Sequence, residues 1–137
     1  MPPTLIFVDT SAWYALLDRN DRNHAHAVRF AEGSRDLLLT STYILDETVT
    51  LVRKHLGHAI AVRFGDRLWN EEIARLVRVS PEDELRAWTI FARHTDKGFS
   101  YTDCTSFALM ERLQIDAAFA FDSHFAQYGR FSCLPAV

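Results

Sequence analysis

The chain has few cysteines for its length. Two occur in 137 residues, Cys104 and Cys133, and neither stands in a CxxC or Cys/His spacing typical of a metal site. Two cysteines cannot build the disulfide framework that stabilises many small secreted domains. We therefore expect both to be small core residues in a reducing compartment.

Long apolar runs and an excess of basic charge are also missing. No run approaches the ~20 apolar residues that a membrane span needs, and "MPPTLIFVD" has no charged segment before its apolar stretch, as a signal peptide would. We expect a cytoplasmic protein with no membrane partner. Because the net charge is −3, any role in binding nucleic acid must rest on local patches or on metal ions.

Glycine and proline are scarce and scattered. The five glycines and four prolines form no cluster and no linker, so we expect a single domain over residues 1–137. No glycine-rich loop follows "LIFVD", which argues against P-loop and dinucleotide-binding folds. Phosphatases of the haloacid type need a second acid two residues after the first, and Ser11 stands there instead.

Short apolar segments alternate with helical patterns along the chain. Strands are predicted at 5–8, 36–41, 74–80 and 117–121, with a fifth candidate in "RFSCL" near the end. Helices are predicted at 10–18, 24–31, 41–56, 59–73 with an interruption at Gly65, from the Ser80–Pro81 start, and at 102–113. This alternation predicts an α/β fold, a three-layer α/β/α sandwich around a mainly parallel sheet of about four to five strands.

Two of the predicted strands end on an aspartate. "LIFVD" ends on Asp9 and "AAFAFD" ends on Asp122. Either residue alone could simply cap the helix that follows. Because the carboxyl ends of parallel strands share one edge of a sheet, which is where such folds bind ligands, we expect both carboxylates at a common site.

Two further acids lie on predicted helices. On the helix at 41–56, Glu47 falls at the edge of the apolar face, whereas Asp46 falls on the solvated side. The alternative for Glu47 is a surface ion pair with Lys54. Asp103 lies in the first turn of its helix, where Thr102 is the predicted cap and the helix dipole favours an acid.

Four carboxylates at one edge would repel one another by roughly 4 kcal/mol for each pair at ~4 Å. Such a cluster takes up protons or binds cations. Ligands that are all oxygen, with no histidine or cysteine, favour hard ions, Mg²⁺ or Mn²⁺. Ions held this way activate water and stabilise the leaving oxygen in phosphodiester hydrolysis.

The sequence resembles the PIN-domain ribonucleases, and especially the VapC-type toxins of bacterial toxin–antitoxin pairs. The resemblance covers nearly the whole chain and rests on "VDTSAWYALLD", "DE" at 46–47, "SYTDCTSFALM" and "AFAFDSHFAQYG" in that order. It implies a Mg²⁺- or Mn²⁺-dependent endoribonuclease with an RNA substrate. The implied catalytic residues are Asp9, Glu47, Asp103 and Asp122, with Ser11 supporting them by hydrogen bonds.

Within that set, the resemblance implies Asp9, Asp103 and Asp122 as metal ligands, directly or through water. Glu47 belongs to the same metal-binding set and would orient or deprotonate the attacking water. One position departs from the family pattern: Ala120 stands where a hydroxyl residue often precedes the last acid. This departure removes one supporting hydrogen bond.

The resemblance also implies an antitoxin partner that binds a groove near the site. The apolar patterns at 12–17 and 41–69 could line that groove or a homodimer interface, and the sequence does not separate the two. Among basic residues near the acids, Arg93 and Lys97 are expected to be best placed to meet phosphates, ahead of Arg53 and Lys54. A non-catalytic PIN-like module that binds RNA or protein remains the alternative function.

Overall fold

The computed structural model describes residues 3–136, which form an alternating series of strands and helices. The strands are β1 (Leu5–Val8), β2 (Leu37–Ser41), β3 (Arg75–Val77), β4 (Ala117–Phe119) and β5 (Ser132–Leu134). The helices are α1 (Thr10–Leu17), α2 (His24–Gly33), α3 (Thr42–Leu56), α4 (His58–Trp69), α5 (Pro81–Arg93), α6 (Tyr101–Leu113) and α7 (His124–Tyr128).

The five strands form one parallel sheet in the order β3-β2-β1-β4-β5. Strand β1 is central, and its successive residues Ile6, Phe7 and Val8 are each at most 1% exposed. Since neighbouring side chains of a strand point to opposite faces, both faces of the sheet are covered. The predicted α/β fold with helices on both sides of a parallel sheet is therefore confirmed.

The sheet topology brings two acids together. Strands β1 and β4 are neighbours, with Val8 paired to Phe119, and the Asp9 N–H donates to the Phe119 carbonyl at 3.0 Å. Asp9 directly follows β1, and Asp122 follows β4 three residues later. The topological switch point of the sheet, where the strand order changes direction, thus lies between β1 and β4, the two strands that these acids follow.

The prediction for the fourth helix is wrong in two respects. Gly65 does not interrupt α4, which runs unbroken from His58 to Trp69 and ends four residues before the predicted end. Gly65 is buried, and a Cβ there would meet the Val49 side chain of α3 at 3.6 Å. That distance is an ordinary van der Waals contact, so a Cβ would fit. The buried face of α4, with Ala61, Phe64 and Leu68 in the core, is the tertiary packing that outweighs the low helix propensity of glycine.

Helices α5 and α6 begin with the same device. Ser80 and Asp83, and likewise Ser100 and Asp103, exchange side-chain to backbone hydrogen bonds as capping boxes. The predicted cap of α6 was Thr102, which is wrong: Ser100 is the N-cap and Thr102 lies inside the helix. Asp103 is therefore held at the third helical position by its own side-chain hydrogen bond.

An ion pair between a buried aspartate and a partly exposed arginine fixes α6 against α5. Asp83, 2% exposed, accepts two hydrogen bonds of 2.8 Å from the Arg112 guanidinium. Burial raises the pKa of Asp83, but the hydrogen bonds from Arg112 and Ser80 outweigh it and hold the pKa below its usual value. Because Asp103 lies on α6, this pair also helps to position the candidate site.

Within residues 3–136, every helix is too short or too polar to cross a lipid bilayer.

Candidate metal-binding active site

An open cleft of about 630 Å³ lies at the carboxyl end of β1 and β4. It contains all five residues that the sequence analysis places in the site. Its lining consists of Asp9, Thr10, Ser11, Asp46, Glu47, Thr50, Leu51, Lys54, Ser100, Thr102, Asp103, Asp122 and His124. Residues from four separated segments of the chain therefore meet at the edge that the strand topology predicts.

Asp9 is the most buried of the acids and is held by Ser11. Asp9 is 4% exposed and is the N-cap of α1. Its Oδ2 atom accepts hydrogen bonds from the Ser11 hydroxyl at 2.7 Å and from the Ser11 N–H at 3.1 Å. Both hydrogen bonds from Ser11 thus go to the same carboxylate oxygen of Asp9, which fixes the orientation of the Asp9 side chain.

The Ser11 hydroxyl also connects the two aspartates across the sheet. Its oxygen accepts hydrogen bonds from the N–H of Phe121 at 3.0 Å and of Asp122 at 3.3 Å. The segment after β4 is therefore anchored to the start of α1. Although Ala120 lacks a hydroxyl, Ser11 supplies a hydroxyl contact to this segment.

Asp103 enters the cleft from the first turn of α6. Its Oδ2 atom accepts the Ser100 N–H at 2.9 Å and Nδ1 of His124 at 2.7 Å. Asp103 is 6% exposed. The same side chain thus closes a capping box and takes part in the acidic cluster.

Asp122 and His124 form a compact pair at the start of α7. The Oδ1 atom of Asp122 accepts the His124 N–H at 2.7 Å, and Nδ1 of His124 lies 3.1 Å from the same oxygen. The side chain of Asp122 is 35% exposed and that of His124 is 25% exposed. His124 was given no role in the sequence analysis, so it is the residue that sequence reasoning missed.

The three aspartates share one arrangement. Each commits a single carboxylate oxygen to the hydrogen bonds described above: Oδ2 of Asp9, Oδ2 of Asp103 and Oδ1 of Asp122. Among residues 3–136, the second oxygen of each aspartate accepts no hydrogen bond from the protein, and none of these atoms is a buried orphan. Each carboxylate is therefore oriented by one oxygen and offers the other to a ligand.

Glu47 reaches the cleft from α3. It is partly buried and makes no ion pair with Lys54 within the described residues, so the surface-pair alternative does not apply. The next residue, Thr48, is buried and donates its hydroxyl to the Thr10 hydroxyl at 3.1 Å. This bond fixes α3 to α1 beside Glu47.

The electrostatics favour a bound cation. Burial raises the pKa of Asp9 to about 7; the Ser11 hydrogen bonds oppose the shift, and the charges of Asp103 and Glu47 add to it. Burial also raises the pKa of Glu47 and of Asp103, with nearby carboxylates contributing to both. Deprotonating all of these groups together costs free energy, which a divalent ion would offset.

The donor set fits a hard divalent ion. One carboxylate oxygen each from Asp103 and Asp122 lie within 4.8 Å of one another, with a ring nitrogen of His124 in the same group, so these two aspartates are close enough to share an ion. The unbonded oxygens of the three aspartates add the ligand type that Mg²⁺ and Mn²⁺ prefer. Within the part of the chain that the structure describes, the cleft lining contains no cysteine, which argues against a soft ion.

The positions of the basic residues differ from the expectation. Lys54, and neither Arg93 nor Lys97, lines the cleft, while the Lys97 ammonium lies 3.6 Å from Asp96. Asp46 is exposed as predicted, yet it reaches the edge of the same cleft. Lys54 lies seven residues after Glu47, which is two helical turns along the same face of α3.

Comparison with known proteins gives matches over most of the chain. Residues 6–131 match the model of the PIN domain family. A Mycobacterium tuberculosis protein named 23S rRNA-specific endonuclease VapC20 is 36% identical over 125 residues, covering 91% of this chain and 95% of the relative. A VapC ribonuclease of Archaeoglobus fulgidus is 31% identical over 125 residues, covering 87% of this chain and 78% of the relative.

Solved structures agree with the sequence matches. The crystal structure of M. tuberculosis VapC20, described as a sarcin-ricin loop cleaving toxin, superimposes with a TM-score of 0.86 at 35% identity, covering 91% of this chain and 95% of that one. A chain of the DNA-bound VapBC from Salmonella typhimurium superimposes with a TM-score of 0.68 at 11% identity, over 96% of this chain and 97% of that one. At such low identity, the second match bears on the fold alone.

Proposed function

The chain belongs to the PIN domain family, and on that premise we propose that it is a metal-dependent endoribonuclease, the toxin of a toxin–antitoxin pair. The relatives at 36% and 31% identity are named as an endonuclease and a ribonuclease, which supports nuclease activity here. We treat residues 1–137 as one domain of this family, since the family match runs from residue 6 to 131.

The observation that carries this proposal is the set of oriented aspartates. Asp9, Asp103 and Asp122 come from three segments of the chain and line a common cleft, and within the described residues each has one carboxylate oxygen that accepts no hydrogen bond. Three such carboxylates without a compensating arginine or lysine bonded to them would destabilise the fold. The arrangement is reasonable if the site binds a divalent cation and an anionic substrate.

The residues have distinct roles in the proposed reaction. Asp9, Asp103 and Asp122 would hold the ion, which, when bound, supplies Lewis acidity for water activation and for the leaving oxygen. Glu47, whose pKa is raised mainly by burial, would accept a proton from the attacking water. Ser11 holds Asp9 in place, and Lys54 is the cation at the cleft that could contact a substrate phosphate.

We propose RNA as the substrate and ribosomal RNA as the first RNA to test. The relative with 36% identity is named for cleavage of 23S rRNA, and its structure is described as that of a sarcin-ricin loop cleaving toxin. The cleft is open rather than enclosed, so the loop of a folded RNA could enter it. Because carboxylates in the lining repel the phosphates of RNA, a bound metal ion would be needed for the substrate to approach.

An RNA cleavage assay with controlled metal tests the function. We expect purified protein to cut RNA with Mg²⁺ or Mn²⁺, to stop cutting in excess EDTA, and to recover when either ion is restored. Intact bacterial ribosomes and a short unrelated RNA of equal concentration provide the substrate comparison. Cleavage that persists in EDTA would contradict metal dependence, and no cleavage of any RNA would favour the non-catalytic binding module.

Replacing Ser11 with alanine tests the support around Asp9. Ser11→Ala removes the 2.7 Å bond to Asp9 and the acceptor for two backbone N–H groups. We expect metal affinity or cleavage to fall 10- to 100-fold, as is usual for residues that orient ligands, with a loss of about 1–3 kcal/mol in the free energy of unfolding. Ser123→Ala is the matched control, because Ser123 is exposed and makes no capping bond; equal effects of the two changes would disprove this role.

We also propose an antitoxin partner and a cytoplasmic location, where RNA is available. Partly exposed apolar residues support a protein partner: Leu16, Leu17, Ile60 and Ile73 line a second cleft of about 560 Å³. Exposed Leu85 and Trp88 on α5 offer a separate surface for a homodimer. Binding of the product of an adjacent gene, measured with purified proteins, would test the antitoxin.

A further inference from the structure

We propose that His124 is a positioning residue whose Nδ1–H group bridges Asp103 and Asp122 and thereby prepares both carboxylates for the metal ion. The inference rests on the proposed metal-dependent function. His124 is not one of the acids from which that function was derived. Its role follows from what its imidazole touches.

The contacts of Nδ1 define the tautomer of His124. Nδ1 lies 2.7 Å from Oδ2 of Asp103 and 3.1 Å from Oδ1 of Asp122. Both oxygens are acceptors, so the nitrogen between them carries a proton and donates it. An Nδ1 atom that donates to two carboxylates has no lone pair for a metal ion, and the lone pair of Nε2 is on the side of Gly98, a residue outside the lining of the cleft. His124 therefore acts beside the ion rather than as its ligand.

The ring of His124 is held from outside the acidic cluster. The Phe99 ring packs edge-on against it, with centroids 5.6 Å apart and planes at 80°. The Nε2 atom lies against Gly98, where a Cβ would come within 3.6 Å of it. The backbone N–H of His124 also donates to Oδ1 of Asp122 at 2.7 Å. These contacts leave the imidazole little freedom to rotate away from the carboxylates.

The bridge has two consequences for the site. It occupies one oxygen of Asp103 and one of Asp122, so the remaining oxygens are directed to the cleft in a defined orientation. It also places a hydrogen-bond donor between two carboxylates that repel one another. Removing a residue that hydrogen-bonds to metal ligands typically lowers metal affinity 10- to 100-fold.

Mn²⁺ binding by three variants tests the inference. His124→Phe keeps a ring against Phe99 but removes the donor, and His124→Asn places an amide N–H where Nδ1 stood. His94→Phe is the control, because His94 also packs against the Phe99 ring, with centroids 5.4 Å apart, while its own ring, among residues 3–136, is hydrogen-bonded to the Ile90 carbonyl alone. We expect His124→Phe to weaken the Mn²⁺ dissociation constant 10- to 100-fold. His124→Asn should remain within about threefold of the wild type, and so should His94→Phe.

Electron spin-echo spectroscopy of the bound Mn²⁺ adds a readout that a general packing defect would not change. We expect no coupling from a directly coordinated ¹⁴N in the wild type. A coordinated-imidazole signal, an unchanged dissociation constant in His124→Phe, or an equal loss in His124→Asn and His124→Phe would each overturn the positioning role while leaving metal binding intact. If the wild type bound no Mn²⁺, the proposed function would fail and this inference with it.

Discussion

Asp9→Asn is expected to reduce RNA cleavage by about 10²- to 10⁴-fold while leaving the protein folded. An asparagine amide oxygen can keep both hydrogen bonds from Ser11. Its NH₂ group then replaces the unbonded carboxylate oxygen and presents a donor to the position of a cation. Loss of several kcal/mol of transition-state stabilisation by the ion corresponds to this range of rates.

The control for Asp9→Asn is Asp46→Asn. Asp46 is an exposed acid at the edge of the same cleft, so the change removes equal charge near the site without touching the oriented oxygens. Initial cleavage rates of both variants, measured at saturating Mg²⁺ with circular dichroism as the check on folding, decide the question. Equal rates for wild type and Asp9→Asn would show that Asp9 is not catalytic.

The second large effect is a stabilisation by metal that grows with pH. Burial sets the pKa of Asp9 near 7 in the folded protein, above its ordinary value of 3.8. A carboxyl whose pKa is raised by folding contributes stability that is present below its unfolded pKa and is lost as pH rises through its folded pKa. The metal-free protein therefore loses this contribution between about pH 4 and pH 7.

Glu47 and Asp103 act in the same direction, because burial raises both of their pKa values as well. A divalent ion binds the deprotonated carboxylates, so its effect is largest at the upper end of this range. At a concentration 100 times the dissociation constant, the ion adds ~2.7 kcal/mol, or roughly 5–10 °C in Tm for a chain of this size. We expect a saturable gain at pH 8 and a much smaller gain at pH 5.

Thermal unfolding with and without Mn²⁺ from pH 5 to pH 8 measures this effect, and Asp9→Asn separates Asp9 from the other acids. In the absence of metal, the variant should match or exceed the wild type in Tm at pH 8, because it carries no buried charge at position 9. It should also gain less from Mn²⁺. A metal response that is flat with pH, or equal in both proteins, would contradict the account.

Strand ends were the most informative part of the sequence. Asp9 and Asp122 each follow an apolar segment, and a parallel sheet brings such residues to one edge whatever the helices between them do. The structure adds what no single segment contains, namely that β1 and β4 are neighbours. Helical periodicity likewise placed Glu47 at the edge of the buried face of α3, where the cleft begins.

Two errors had specific physical causes. Gly65 was expected to interrupt α4, but the low helix propensity of glycine is a local effect, whereas the burial of Phe64 and Leu68 of the same helix in the core is tertiary packing. Thr102 was expected to cap α6, although Ser100 and Asp103 have the same S-x-x-D spacing as Ser80 and Asp83. The same motif at residues 80–83 was read correctly as a helix start, and applying that reading to residues 100–103 would have given Ser100 as the N-cap of α6.

His124 could not be assigned from sequence. One histidine two residues after an acid is a common pattern, and its importance depends on where Asp103 lies in three dimensions. The distances of Nδ1 to Asp103 and Asp122 carry that information. Lys54 was named as a possible phosphate contact but was ranked behind Arg93 and Lys97, and only the structure shows that it lines the cleft while they do not.

The measurement that tests the account most directly is anomalous diffraction from crystals grown with Mn²⁺. The account predicts an anomalous peak in the cleft within roughly 2.1–2.3 Å of oxygens from at least two of Asp9, Asp103 and Asp122, and no peak there in crystals of Asp9→Asn treated identically. A cleft without anomalous signal at saturating Mn²⁺, or an ion bound only elsewhere, would contradict it.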